Sequence, residues 1–224
     1  MPYRELVGCL MYASLTTRPD LSAAVNNYSQ FQVCPNDQHW VYLKRMLRYV
    51  KETLDLGLIY KAEEDSPILE IRDADWACDV LDRKSVTGCV FKLFGCTVGW
   101  LTRKQQTVSL SSTVAELAAL CTAACHVVWM KRLLLDLRKT TDKAIPAYED
   151  NQSTIRIAED ARDYRRLKHV DTKFHFLRDL VQQAIIDIRF VRSSEQQADI
   201  MTKGLAAGVF KQLRFKLGLE TVCG

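Results

Sequence analysis

The sequence predicts a mixed α/β fold: a mixed sheet flanked by helices, preceded by a small helical connector. Three observations carry this. Apolar residues recur at helical spacing through 1–61, with Leu6, Leu10 and Ala13 on one stripe and Trp40, Leu43, Leu47 and Val50 on another. After Pro67 the rhythm changes to short strand-like runs. The order that follows, β, β, β, α, β, α, α, β, α, demands helical crossovers wherever neighbouring strands run parallel.

The elements are read in chain order. Thr17-Arg18-Pro19-Asp20 and Cys34-Pro35-Asn36-Asp37 interrupt the first helices, and a new helix starts near His39 and Trp40. Residues 62–66, polar and followed by Pro67, read as a linker. A strand is expected over 68–75, and a hairpin over 88–102 turning at Gly95 and Cys96. A long helix follows over 113–138, apolar enough to be the central packed helix. Then come a strand at 145–149, helices at 151–159 and 168–184, a strand at 185–191 and a helix from Ser194 onward. The expected division is a helical segment over 1–66, an α/β domain over 67–205, and a C-terminal helix and tail over 206–224.

Composition sets the outer limits. In 224 residues, 48% are hydrophobic and 26% charged, with nine Gly and five Pro, which excludes collagen, low-complexity tails and wholesale disorder. The 31 basic and 27 acidic residues leave a net charge of +4, compatible with a polyanionic partner without requiring one. Eight cysteines form no Cys-x-x-Cys pair. Cys121 and Cys125 lie one helical turn apart beside His126, but a four-ligand zinc pattern is missing, so reduced intracellular thiols are expected. The first residues lack a basic-then-apolar leader pattern, and charges interrupt the runs that could span a membrane.

Four carboxylates fall where strands end or helices begin, the places where catalytic groups collect in such sheets. Asp73 ends the first strand, Glu116 opens the long helix, Asp150 follows the strand 145–149, and Asp199 follows the last strand. Each also has a plain structural reading. Glu116 three residues after Thr113 fits a capping box, Asp150 fits a helix N-cap, Asp73 and Asp75 fit turn positions, and Asp199 fits a solvated helix position. Placed together on one β/α unit, they instead suit a divalent cation. A carboxylate cluster with few bases nearby is costly without one, and hard oxygen ligands favour Mg²⁺ or Mn²⁺.

Ordered motifs add a resemblance. Asp73-Ala74-Asp75-Trp76-Ala77, Asp82 to Ser85, Thr87-Gly88, Lys104-Gln105, Ser109 to Thr113 and Ala115-Glu116 resemble the ribonuclease H domain of copia-type LTR-retrotransposon Pol polyproteins. So do Tyr148 to Ser153, Lys168-His169-Val170-Asp171, His175-Phe176, Ala198-Asp199 and Thr202-Lys203. Upstream, Tyr3 to Gly8, Thr17 to Leu21, His39-Trp40 and Lys44 to Tyr49 resemble the segment that joins reverse transcriptase to ribonuclease H in those polyproteins. The resemblance runs from Tyr3 to about Leu219.

It implies an RNase H-like fold and metal-dependent endonucleolytic cleavage of the RNA strand of an RNA–DNA hybrid during reverse transcription. Asp73, Glu116, Asp150 and Asp199 match the family's metal-binding carboxylates; Asp73, rather than Asp75, matches the first-strand aspartate. The implied cofactor is Mg²⁺, with Mn²⁺ as substitute, bound as two ions roughly 3.5–4 Å apart. Asn151, Gln152, Ser112 and Thr113 are the implied contacts to 2′-hydroxyls in the wide minor groove, or else capping and turn residues. Arg165, Arg166 and Lys168 in the basic stretch 162–169, and Lys44, Arg48 and Lys51 on one helical face, are candidates for phosphates or for a solvated surface. Implied partners are the hybrid and the reverse transcriptase portion of the same polyprotein, without a membrane. The implied location is the cytoplasm, within a virus-like particle for an active element.

The chain departs from the family's pattern at several points. Val114 stands where the family usually has an acid, and Cys78 where it usually has glycine. Many cellular ribonucleases H carry a loop histidine before the last aspartate; here Arg192-Ser193-Ser194 occupies that stretch, which implies slower turnover. No polymerase palm lies within the 224 residues, so the match is expected to be to the C-terminal part of a polyprotein, whole or as a decayed or domesticated non-catalytic fragment.

Overall fold

The computed structural model describes residues 2–61, 70–74, 84–109, 111–139, 143–159 and 171–222, with side chains throughout except at 70–74 and 171–173. The expected linker 62–66, Asp75, Cys78 and the basic stretch 162–169 lie outside the described residues.

The N-terminal part is helical, as its periodicity predicts. α1 (Tyr3–Thr16) ends at the Thr17-Arg18-Pro19 break, where a 3-10 turn (Pro19–Leu21) leads into α2 (Ser22–Ser29). α3 (Asp37–Lys51) starts at a reciprocal cap: Asn36 Oδ1 accepts from the His39 amide at 2.8 Å, and His39 Nδ1 accepts from the Asn36 amide at 3.3 Å. Tyr3, Val7, Leu10, Leu21, Val25 and Leu43 close a core of their own.

A five-stranded sheet forms the larger part. β2 (Glu70–Ala74), β3 (Val86–Leu93) and β4 (Cys96–Lys104) make an antiparallel meander; β5 (Ile145–Glu149) and β6 (Ile186–Phe190) add on in parallel, in the spatial order β4-β3-β2-β5-β6. The β3–β4 turn takes Phe94 and Gly95 through positive φ (51° and 78°), a two-residue turn whose twist matches the strands it joins. Parallel pairing forces helical crossovers, and these are α4 (Ser112–Asp136) between the meander and β5, and α5 (Gln152–Glu159) and α6 (Asp171–Gln182) between β5 and β6.

The two faces of the sheet bury different cores. Cys89, Phe91, Ile145, Ala147 and Ile186 pack against Leu117, Leu120, Ala124, Val127 and Leu177 from α4 and α6. On the other face Val90 packs with Ala198, Ile200, Met201, Leu213 and Leu217. α4 is the one described helix long and apolar enough to cross a membrane, unlike the reading that charges interrupt every such run; half of its most apolar window is buried within the fold.

Two expectations are corrected. The single helix from Ser194 is instead a 3-10 turn (Ser193–Glu195), a four-residue α7 (Asp199–Thr202) and α8 (Ala207–Lys216). Lys203 turns to extended backbone and Gly204 follows, which ends α7 after one turn. In addition, two three-residue strands, β1 (Leu56–Leu58) and β7 (Leu219–Thr221), pair antiparallel and join the end of the N-terminal helical part to the C-terminal tail.

The helical part is tied to the sheet by side chains. Trp100 on β4 donates its indole N–H to the Ser14 carbonyl at 2.7 Å. Buried Arg18 holds both oxygens of Asp20 (2.9 and 2.8 Å), Tyr49 donates to Asp20 Oδ2 at 2.6 Å, and Arg214 from α8 donates to the Tyr49 hydroxyl at 2.9 Å.

Candidate metal centre

The site forms where β5 stops. Along β5, Ile145 and Ala147 face the α4 core, and the same alternation turns Glu149 inward at the strand's end, with 1% of its surface exposed. Glu149 Oε1 accepts from the Asn151 amide at 2.9 Å. Asn151 then caps α5, its Oδ1 accepting from the amides of Ser153 (2.8 Å) and Thr154 (3.3 Å). The capping reading of Asp150 is therefore corrected: its neighbour does that work.

Glu116 reaches the same point from the second turn of α4. The capping-box reading is corrected here too, because Ser111 is the N-cap, accepting from the Val114 amide at 3.3 Å, and Thr113 lies inside the helix. Glu116 is 7% exposed and accepts from the Thr154 hydroxyl at 3.2 Å and from the Asn151 side chain. Each of Glu116, Glu149 and Asp150 brings one carboxylate oxygen within 4.8 Å of the others, a spacing that a single divalent ion bound by oxygens can bridge. Burial drives the Glu116 carboxyl up to about 7, and Asp150 adds to this, while bonds from Asn151 and Thr154 and the charge of Lys203 oppose it.

Asp199 opens α7 and is buried, and burial raises its carboxyl above the ordinary range. Lys203, one turn on, opposes that shift with an ion pair to Asp199 Oδ1 at 2.6 Å. Asp150 lies close enough for its charge to act on both Glu116 and Asp199, but Asp199 is outside the 4.8 Å set. Asp73 is fixed by register: Arg72 on β2 pairs with Tyr148 on β5, so the Asp73 backbone runs beside Glu149.

Of the other expected contacts, Gln152 and Ser112 are exposed, and Asn151 and Thr113 are half-buried, on the first turns of α5 and α4 or just before them. Arg165, Arg166 and Lys168 lie outside the described residues. Lys44, Arg48 and Lys51 are exposed on α3. Glu149, Thr154 and Lys203 are not among the site residues expected from the sequence. The signal for Glu149 was available: a strand whose odd positions are apolar and inward, ending on an acid in the same phase.

No model of a known protein family matches the chain. Individual relatives do. It is 33% identical over 222 residues, 99% of its length, to the retrovirus-related Pol polyprotein from transposon TNT 1-94 of Nicotiana tabacum. It is 35% identical over 225 residues, again 99% of its length, to that from transposon RE2 of Arabidopsis thaliana. The fold is shared with a foamy viral protease-reverse transcriptase solved in complex with an RNA/DNA hybrid. That likeness has a TM-score of 0.53 and 10% identity, and covers 92% of this chain and 26% of that one.

Fold and relatives together define the class, a folded segment of a retroelement polyprotein. The chain belongs to the copia-type retrotransposon Pol polyproteins, and it spans 16% and 15% of the length of the two relatives named.

Proposed function

We propose that this chain is a metal-dependent ribonuclease H module that cleaves the RNA strand of RNA–DNA hybrids within a retrotransposon polyprotein. The observation that carries the reading is the convergence of Glu116, Glu149 and Asp150 within 4.8 Å at the end of a parallel strand, with Asp199 near Asp150. A mixed sheet flanked by helices supports an RNase H-like fold, and the hybrid bound by the foamy viral relative supports the substrate class.

The donor set fits a hard divalent ion. It is all carboxylate oxygen and largely buried, and burial raises the Glu116 and Asp199 carboxyls above the ordinary range. Glu116, Asp150 and Asp199, with Asp73, would hold Mg²⁺ or Mn²⁺. When bound, such ions activate water and stabilise the leaving 3′ oxygen of an in-line displacement. The chain's own groups do the positioning. Thr154 and Asn151 hold Glu116, and Asn151 also fixes the entry into α5. Gln152, Ser112 and Thr113 stand at adjacent helix starts where 2′-hydroxyls of the RNA strand can be met.

A second reading, a fragment that retains hybrids without cutting, draws on the Lys203–Asp199 pair, which engages one of the four acids. One experiment separates them: purified protein incubated with labelled RNA–DNA hybrid, with and without Mg²⁺ or Mn²⁺. Cleavage that requires metal and is lost in Asp150→Asn supports the nuclease. Metal-independent retention of hybrid with no cleavage supports the second reading.

A further inference from the structure

Where β5 and β6 end is an open groove of about 600 Å³, lined by Tyr148, Phe190, Arg192, Glu195, Gln197 and Lys216. Its make-up is unusual for a surface. Phe190 ends the edge strand β6 with 52% of its surface exposed, and Tyr148 stands on the next strand. Two cations, Arg192 and Lys216, border these rings, against one acid, Glu195. Gln197 is 7% exposed, and its Oε1 is buried without a hydrogen-bond partner among the described residues. An acceptor held in that state costs stability unless something donates to it.

We infer that this groove binds an unpaired nucleotide of a nucleic-acid strand, outside the hydrolytic centre. An exposed ring supplies a stacking face that every base can use, adjacent cations meet the phosphate, and the exposed Glu195 carboxylate accepts from base amino or imino groups. The volume lies within the range of small-ligand sites. The rigid frame is given by Gln196, whose Nε2 donates to the Tyr148 carbonyl at 3.0 Å, and by the Val191 amide, which donates to the Glu149 carbonyl at 3.0 Å. The same short segment therefore links the groove to the strand that ends in the carboxylates. A strand running on from a hybrid at the carboxylates would place its single-stranded continuation here; that choice of ligand rests on the nucleic-acid reading above.

The test is binding, measured by fluorescence anisotropy in EDTA with the Asp150→Asn chain, so that no cleavage intervenes. The probes are a blunt RNA–DNA hybrid, the same hybrid with a short single-stranded overhang, and a nucleoside monophosphate. The overhang is expected to tighten binding, and Phe190→Ala to weaken overhang binding about 5- to 150-fold with blunt binding unchanged. Arg192→Gln combined with Lys216→Gln should reduce the slope of log affinity against log salt by about 1.4 for the overhang probe. Equal affinity for blunt and overhang hybrids overturns the inference, as does an overhang preference that survives both variants. Saturable binding of the monophosphate with no overhang preference also overturns it, since the ligand is then a free nucleotide. Loss of cleavage in the wild-type chain with the overhang preference intact would sink the nuclease reading and leave this one standing.

Discussion

The Thr154 hydroxyl donates to Glu116 Oε2 at 3.2 Å, joining the first turn of α5 to α4 at the point where Asp150 leaves β5. The bond offsets part of the cost of burying Glu116, but burial still lifts that carboxyl from 4.5 to about 7. The metal-free folded chain thus keeps a proton that the unfolded chain releases. Stability from this group is full below pH 4.5 and is lost as pH rises towards 7, and the raised Asp199 acts in the same direction. Between pH 5 and 8 in EDTA, the unfolding free energy read from thermal melts should fall more for wild type than for Glu116→Gln, by on the order of 1–2 kcal/mol allowing for solvent screening. Thr154→Val removes an opposing bond and should move the titration to higher pH. Parallel wild-type and Glu116→Gln profiles would remove Glu116 as the titrating group.

Glu149 is the acid that pattern reading passed over, and its charge can be separated from its hydrogen bond. Glu149→Gln keeps an oxygen able to accept from the Asn151 amide while deleting one negative charge from the 4.8 Å set. Mg²⁺ affinity, read from the rise in melting temperature with ion concentration, should weaken by about 10- to 100-fold, the range for losing a supporting group at a metal site. An unchanged titration would make Glu149 a purely structural residue.

The junction between the helical part and the C-terminal helix rests on one buried carboxylate. Asp20 is held by Arg18 and Tyr49, and Tyr49 in turn accepts from Arg214 on α8. Asp20→Asn leaves the Arg18 guanidinium, whose side chain is 7% exposed, without its counter-charge and should cost about 3–5 kcal/mol. Tyr49→Phe strands a donor and an acceptor and should cost about 1–3 kcal/mol. Urea unfolding midpoints measure both; a Tyr49→Phe chain as stable as wild type would show that Arg214 and Asp20 find other partners.

Elements with a long period were legible in the chain, and those set by distant partners were not. The strand 145–149 and the 25-residue helix on α4 are read almost to the residue, because apolar positions repeat over enough length to fix the phase. The hairpin was legible from Gly95, whose positive φ the two-residue turn requires. β1 and β7 were invisible: three residues each, paired with a partner far away in the chain. At the site, Glu116 and Asp150 were found from their positions at element starts, yet each had a capping role to rule out. Only Ser111 and Asn151, seen doing the capping, remove it. The Lys203–Asp199 pair was readable in principle as an i, i+4 pair, but the helix carrying it is a single turn long.

The close approach of β3 to α7 gives the sharpest link between packing and the acid site. A Cβ at Gly88 would sit 2.5 Å from Thr202 Cγ2 and 2.8 Å from Met201 Cβ, so α7 rests on the strand only because residue 88 has no side chain. Thr102 on β4 holds α7 from beside it, donating its hydroxyl to the Met201 carbonyl at 3.0 Å. Gly88→Ala must therefore push α7 away from the sheet, and Asp199 travels with it. Overpacking of this kind costs about 1–3 kcal/mol, and metal-dependent cleavage should fall by more than the loss of folded protein explains. Adding Thr202→Ser deletes the nearer clashing atom, so the double variant should recover part of both losses, with the Met201 contact setting the remainder. A Gly88→Ala chain that matches wild type in melting temperature and in cleavage would show that α7 is free to shift without moving Asp199 relative to Asp150.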